Sequence, residues 1–104
     1  MIIILGQLEF HPEDAAEAAG FMRTMAAKTL KEAGCRHYAF AIDVSAPNRF
    51  QLSEWWDDET SLFSHFRAPH MAEYRASIGK LRTQSRMVKR FEASSVADLV
   101  VKTQ

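Results

Sequence analysis

Two segments of this chain, Ile2–Leu5 and Tyr38–Ile42, are apolar without interruption. A strand with one wet face alternates apolar and polar side chains, because successive residues point to opposite sides of a sheet. Strands with no polar positions need cover on both faces. The helical material here is limited to one long amphipathic run before Gly34 and two short ones after Asp57. Two helical layers shield one side of a four-stranded sheet and no more. At roughly 25 cal/mol per Å² of apolar area, several large side chains left open on the other side would cost several kcal/mol. The second face therefore calls for a second body, and another copy of the chain is the simplest one. A homodimer, sheet against sheet, is the expectation.

The chain in order supports this. Ile2–Phe10 reads as a strand, β-branched at its start and alternating at its end. His11-Pro12-Glu13-Asp14 suits a helix entry: Pro12 loses nothing in a first turn, and the acids favour the positive end of the helix dipole. The helix that follows carries a stripe of Ala18, Phe21, Met22, Met25, Ala26, Thr29, Leu30 and Ala33. Glu17, Arg23, Lys28, Lys31 and Glu32 fall mostly on its wet side, and Gly34 stands where a left-handed cap is wanted. Cys35–Asp43 is a second strand, and Ser45-Ala46-Pro47-Asn48 is turn material leading by a hairpin into Phe50–Trp56. Two short helices follow, parted by Pro69, and Gly79–Gln84 is a polar connector. Ser85–Ala93 is a last strand, with Met87 and Phe91 on one face and Arg86 and Arg90 on the other. The tail, Val96–Val101, suits a short added strand or a helical turn, and residues 95–104 are candidates for the dimer interface. Strand, helix, strand, strand, helix pair, strand is the split βαβ order of a ferredoxin-like α+β domain, an antiparallel sheet with its helices on one face.

Bulk properties narrow the function. The 104 residues make one domain, 1–104, with no repeat or linker. Thirteen basic side chains balance thirteen acidic ones, so no electrostatic footprint for nucleic acid or an anionic membrane is present. The opening Met1–Leu5 lacks a basic flank and is too short for a signal core or a membrane span. The single Cys35 excludes an internal disulfide and fits a reducing, cytoplasmic setting. No glycine-rich phosphate loop, Ser/His/Asp set or Cys/His pair is present.

Chemically useful side chains concentrate between Phe50 and Tyr74, FQLSEWWDDETSLFSHFRAPHMAEY. Glu54-Trp55-Trp56-Asp57, His65 nine residues after Trp56, and Ala68-Pro69-His70-Met71 resemble the antibiotic biosynthesis monooxygenase family. The E-x-W-x8-H and x-P-H pattern is similar to that of its quinol and anthrone oxygenase-like members. The first strand, the long helix and Val88-Lys89-Arg90-Phe91 also fall where that family has them, so the likeness runs over about residues 1 to 95. The resemblance implies a dimeric α+β barrel, each subunit holding a cavity between helices and sheet. It also implies oxidation of quinols or polycyclic phenols by molecular oxygen with no cofactor, neither metal nor flavin. The protein then has to remove a proton, keep the resulting anion dry and admit oxygen. Haem-degrading relatives resemble one another in an Asn on the first strand and a Trp plus His among the helices. Gln7 stands in roughly the first place and the helical region has no Trp, which tells against haem degradation.

Within that frame His65 is the first catalytic candidate, because an imidazole titrates near neutrality and can take a phenolic proton and return it. Its bland role is a buried side chain bonded to a carbonyl or to Glu54. Glu54 and Trp56 share one strand face, so Glu54 either orients His65 or anchors a substrate hydroxyl, and Trp56 either stacks on an aromatic substrate or fills core. Tyr74, His70, Phe21 and Met25 complete the candidate substrate contacts. His65 and His70 are five apart across a Pro, with no carboxylate evident to complete a set, so no metal site is expected. Arg86 and Arg90 suit a salt-bridged edge or an anionic ligand. The rival functions are a metabolite isomerase or tautomerase using the same proton handling without oxygen, and a non-catalytic small-molecule-binding or stress-response protein.

Overall fold

The computed structural model describes residues 1–102. Its elements run β1 (Ile2–Phe10), a 3-10 turn (Pro12–Asp14), α1 (Ala15–Thr29), β2 (Cys35–Asp43), β3 (Ala46–Trp56), α2 (Glu59–Phe66), α3 (Pro69–Ile78) and β4 (Thr83–Glu92). All pairings are antiparallel and the sheet order is β2-β3-β1-β4. This is the expected α+β ferredoxin-like arrangement.

Alternation sets the two faces. Ile2, Ile4, Leu8 and Phe10 of β1, Phe50, Leu52 and Trp56 of β3, and Tyr38 of β2 are buried against the helices. Ala18, Met22 and Met25 of α1 and Leu62 of α2 meet them. The opposite face has no helix. There Ile3 pairs with Trp55 and Phe91, and Leu5 with Ser53 and Lys89. Leu5 is 46 % exposed, Met87 48 % and Phe91 47 % in the single chain, so this half of the face is greasy and open. Its other half is polar: Gln51 Nε2 donates to Gln7 Oε1 at 2.9 Å and to Asp43 Oδ2 at 2.7 Å, and Arg49 lies 3.5 Å from Glu9.

Several boundaries differ from expectation, each for a local reason. Tyr38–Ile42, whose unbroken apolar run asked for cover on both faces as in a central strand, is on an edge strand; β1 and β3 are central. The β2–β3 turn is tighter than Ser45–Asn48, because Asp43 Oδ1 accepts from Ser45 N at 2.8 Å and β3 has already begun at Ala46. β4 starts at Thr83, inside the supposed connector. The α2 face is narrower than its apolar residues suggest: Leu62 is buried, whereas Phe63 and Phe66 are exposed. The tail up to residue 102 has neither strand nor helix, and Thr103 and Gln104 lie outside the described residues.

The most consequential difference is the end of α1. The helix stops at Thr29, and residues 30–33 tighten into turns, with Glu32 N donating to Thr29 O at 2.9 Å and Cys35 N to Glu32 O at 3.2 Å. Gly34 then takes φ +81°, a left-handed conformation that glycine adopts without a Cβ penalty. A Cβ there would also stand 2.1 Å from Ser61 Oγ, so the turn packs directly on the start of α2. Asp58 caps α2 by accepting from Ser61 N at 2.8 Å. At the other end of α1, Arg82 donates to Asp14 through its backbone N–H and its guanidinium, which pulls the Asp14 carboxyl down to about 2 and ties the helix entry to the approach to β4.

Candidate functional site

A cavity of about 410 Å³ opens between the buried face of the sheet and α3. Ile4, Leu8, Leu52 and Val88 give it apolar sheet walls, and Met71, Tyr74 and Ile78 give it a helical wall. Glu54 lines it as the acid of an otherwise greasy sheet surface, and Arg75 and Arg86 line it as well.

Glu54 is there because β3 alternates. Phe50, Leu52, Glu54 and Trp56 all point under the helices, and the third of these is a carboxylate. A buried carboxylate needs a partner. Trp56 Nε1 supplies it, donating to Glu54 Oε1 at 2.8 Å, and the Trp56 ring itself is fully buried. Burial pushes the Glu54 carboxyl up to about 7; the Trp56 hydrogen bond opposes this and the charge of Glu32 adds to it. Tyr74 shares the cavity, with its hydroxyl pushed up to about 12 by burial and pulled back by the nearby Arg86. It therefore stays a donor at neutral pH.

His65 is 1 % exposed and stands beside the cavity, behind its lining. Its ring tilts against Trp56 at 4.8 Å between centroids and meets Tyr38 edge-on at 5.6 Å. Its hydrogen-bond partner is not Glu54. His65 Nδ1 lies 2.6 Å from Glu32 Oε2, and His70 Nε2 lies 2.8 Å from the same oxygen. The role of Glu54 as orienter of His65 is thus taken by Glu32, while its role as an anchor for a hydroxyl keeps its geometry. Burial lowers the His65 pKa, against the opposing pull of Glu32, and Nδ1 is the ring nitrogen that faces the Glu32 carboxylate.

Glu32, which the helical pattern puts on the wet side of α1, is the site residue that pattern does not reveal. Helical periodicity held as far as Gly34 puts it outward; the early stop at Thr29 swings it under α2 and α3 instead. The only available signal was Gly34 itself, which demands a tight turn somewhere just before it. Glu32 also corrects the expectation that no carboxylate joins the two histidines. The three side chains form a His₂Glu donor set within 4.8 Å of one another. Ligands around a tetrahedral ion stand about 3.3 Å apart. The two nitrogens sit closer than that to one oxygen, at hydrogen-bond range. As arranged, the triad is a hydrogen-bonded tie between the α1 turn and the two short helices, and the same three side chains could hold a metal ion.

The remaining candidates separate. Met25 is core, 1 % exposed. Phe21, Met25 and His70 border a smaller hollow of about 110 Å³ between α1 and α3, on the far side of Tyr74. A third hollow, about 330 Å³, lies between α1 and β2 and has Arg23 as its one charged residue. Arg90 is paired with Glu59 at 2.5 Å and Glu92 at 2.9 Å, while Arg86 turns to the cavity. No helix among the described residues is long and apolar enough to cross a membrane.

The model of the antibiotic biosynthesis monooxygenase family matches residues 1–77, from β1 into the last turn of α3. The chain belongs to that family. Its fold is shared by solved structures well beyond the matched span. A proposed antibiotic biosynthesis monooxygenase from Deinococcus radiodurans superposes with a TM-score of 0.88 at 25 % identity, over 97 % of this chain and 100 % of that one. A Mycobacterium tuberculosis protein gives 0.84 at 23 % identity, over 93 % and 98 %. A Nitrosomonas europaea protein described in the same family terms gives 0.84 at 14 % identity, over 91 % and 100 %. No curated protein matches the sequence. The likenesses at lower identity show a common fold, and this monooxygenase-family chain carries β4 and its cavity-facing Arg86 outside the matched residues.

Proposed function

We propose that this chain is a cofactor-independent monooxygenase acting on an electron-rich phenol or quinol, with Glu54 as the proton acceptor in the cavity. One observation carries the reading: a carboxylate buried in an apolar, ligand-sized space whose proton affinity is raised to about 7. A base with that value takes a proton at neutral pH and can return it. Removing the phenolic proton makes the ring electron-rich enough to reduce oxygen, and the dry walls protect the anion from water. The balance closes without a cofactor. A phenol with a free ring position and one O₂ give a quinone and one water; the ring supplies all four electrons, one oxygen atom enters it as a carbonyl, and the other leaves as water.

In this reading His65 is a positioning residue. Held by Glu32, it backs Trp56, whose indole N–H fixes the Glu54 carboxylate. Tyr74 donates to the oxygen opposite. The open greasy half of the sheet supports a homodimer through the helix-free face, with Leu5, Met87 and Phe91 at its centre.

Oxygen uptake with a panel of quinols and hydroxynaphthalenes is the test, run beside the same substrates under nitrogen. Turnover that stops without oxygen and falls at least about 100-fold in Glu54→Gln is the expected result. Turnover that persists anaerobically replaces the reading with an isomerase. Oxygen uptake that Glu54→Gln leaves intact removes Glu54 as base.

A further inference from the structure

We propose that the cavity selects an aromatic hydroxy acid: a flat ligand whose hydroxyl meets Glu54 and whose carboxylate is held by Arg75 and Arg86. The inference rests on the reading of the cavity as a substrate site, and it adds the ligand's charge and shape.

The two arginines reach the cavity from different directions. Arg75 comes from α3 and Arg86 from β4, and both are exposed, which places their guanidiniums at the mouth and not in the core. Neither has a carboxylate partner among the described residues, whereas Arg36, Arg49, Arg82 and Arg90 do; Arg23 and Arg67 are likewise unpaired but do not line this cavity. Arg86 acts on the buried Tyr74 hydroxyl, and the Arg75 guanidinium carbon lies over the Phe66 ring at 6.0 Å. Two unpaired guanidiniums lining one cavity fit a carboxylate, which accepts paired N–H bonds in the guanidinium plane.

Glu54 occupies the other end. Ile4 pairs with Glu54 and Leu8 pairs with Arg86, so the two charged positions are four residues along and two strands across, about 16 Å between backbones before their side chains close the gap. The walls between them are Ile4, Leu8 and Leu52. With Glu54 at one end, apolar sides, Arg86 at the other end and Arg75 on the α3 wall, the site describes a ligand with a hydroxyl, a ring system and an anion. The volume, about 410 Å³, lies within the usual range of small-molecule sites, about 300–1,000 Å³.

The test is binding, read apart from turnover. The quenching of 6-hydroxy-2-naphthoate and of 2-naphthol fluorescence is titrated against the full chain, Arg86→Gln, Arg75→Gln and the control Lys31→Gln, with folding of each checked by circular dichroism. The acid should bind about tenfold tighter than the naphthol in the unaltered chain and in the control. Either arginine variant should cut that preference to about threefold or less while naphthol affinity holds, and raising salt from about 50 to about 300 mM should erode it too. Equal affinity for both probes, equal loss of both in the variants, or binding of neither to folded protein overturns the proposal. Tight, arginine-dependent binding of the acid with no oxygen uptake would leave the clamp standing and remove the monooxygenase.

Discussion

Glu54 holds its proton up to about pH 7 in the fold, against about 4.5 for an ordinary glutamate. As pH rises, the unfolded chain therefore loses the proton first, so Glu54 takes stability away between those two values and no further above them. Glu54→Gln, which keeps an acceptor for the Trp56 N–H, should be more stable than the parent by about 2 kcal/mol at pH 8 and should lose that advantage by pH 4.5. Urea melts at the two pH values decide it. Glu32 is the opposite case: Glu32→Ala leaves His65 Nδ1 and His70 Nε2 without their acceptor and should cost about 2 kcal/mol near neutral pH, and His65→Ala, which empties a packed site in either background, should cost less in that background than in the parent. The two acids also differ in legibility. Strand alternation from Phe50 to Trp56 put Glu54 under the helices, since a period of two carries no ambiguity over seven residues. Glu32 was invisible, because a helix pattern says where a side chain points only while the helix lasts.

The turn after α1 is the element on which the site's geometry depends. Gly34 combines a positive φ with a Cβ position already occupied by Ser61, and its carbonyl accepts from Asp57 N at 2.8 Å. Gly34→Ala should cost well over 2 kcal/mol, the sum of a strained backbone and a steric clash. Gly34→Ala with Ser61→Gly should recover the clash and keep the strain, so a thermal melt of the double variant should fall between the single variant and the parent. A double variant no better than Gly34→Ala would place the whole cost in the backbone. The strand and helix types were all legible, as was the left-handed conformation of Gly34, although Gly34 closes the turn after α1 and the helix itself is capped at Leu30. What sequence could not give was which apolar strand is central. Tyr38–Ile42 has an apolar run because Tyr38 and Phe40 line the core and its outward residues Ala39 and Ala41 are small, not because two layers cover it.

For the whole molecule the open question is cover. Leu5→Lys combined with Phe91→Lys should convert the proposed dimer to a monomer at about 10 μM, as read by sedimentation velocity, while the helix-side core is untouched. A parent chain that sediments as a monomer at that concentration would leave the greasy half of the sheet unexplained. β4 makes the matter more than one of bookkeeping. It pairs with β1 through most of its length, yet none of its ten residues is buried in the single chain. Such a strand is held by its backbone ladder almost alone, and its amides should exchange with deuterium well before those of β1. Because Arg86 and Val88 ride on it, peeling of this strand unmakes one side of the ligand chamber. Anything that clasps its outer surface would therefore tighten small-molecule capture on the inner one, and affinity should climb as the protein is concentrated.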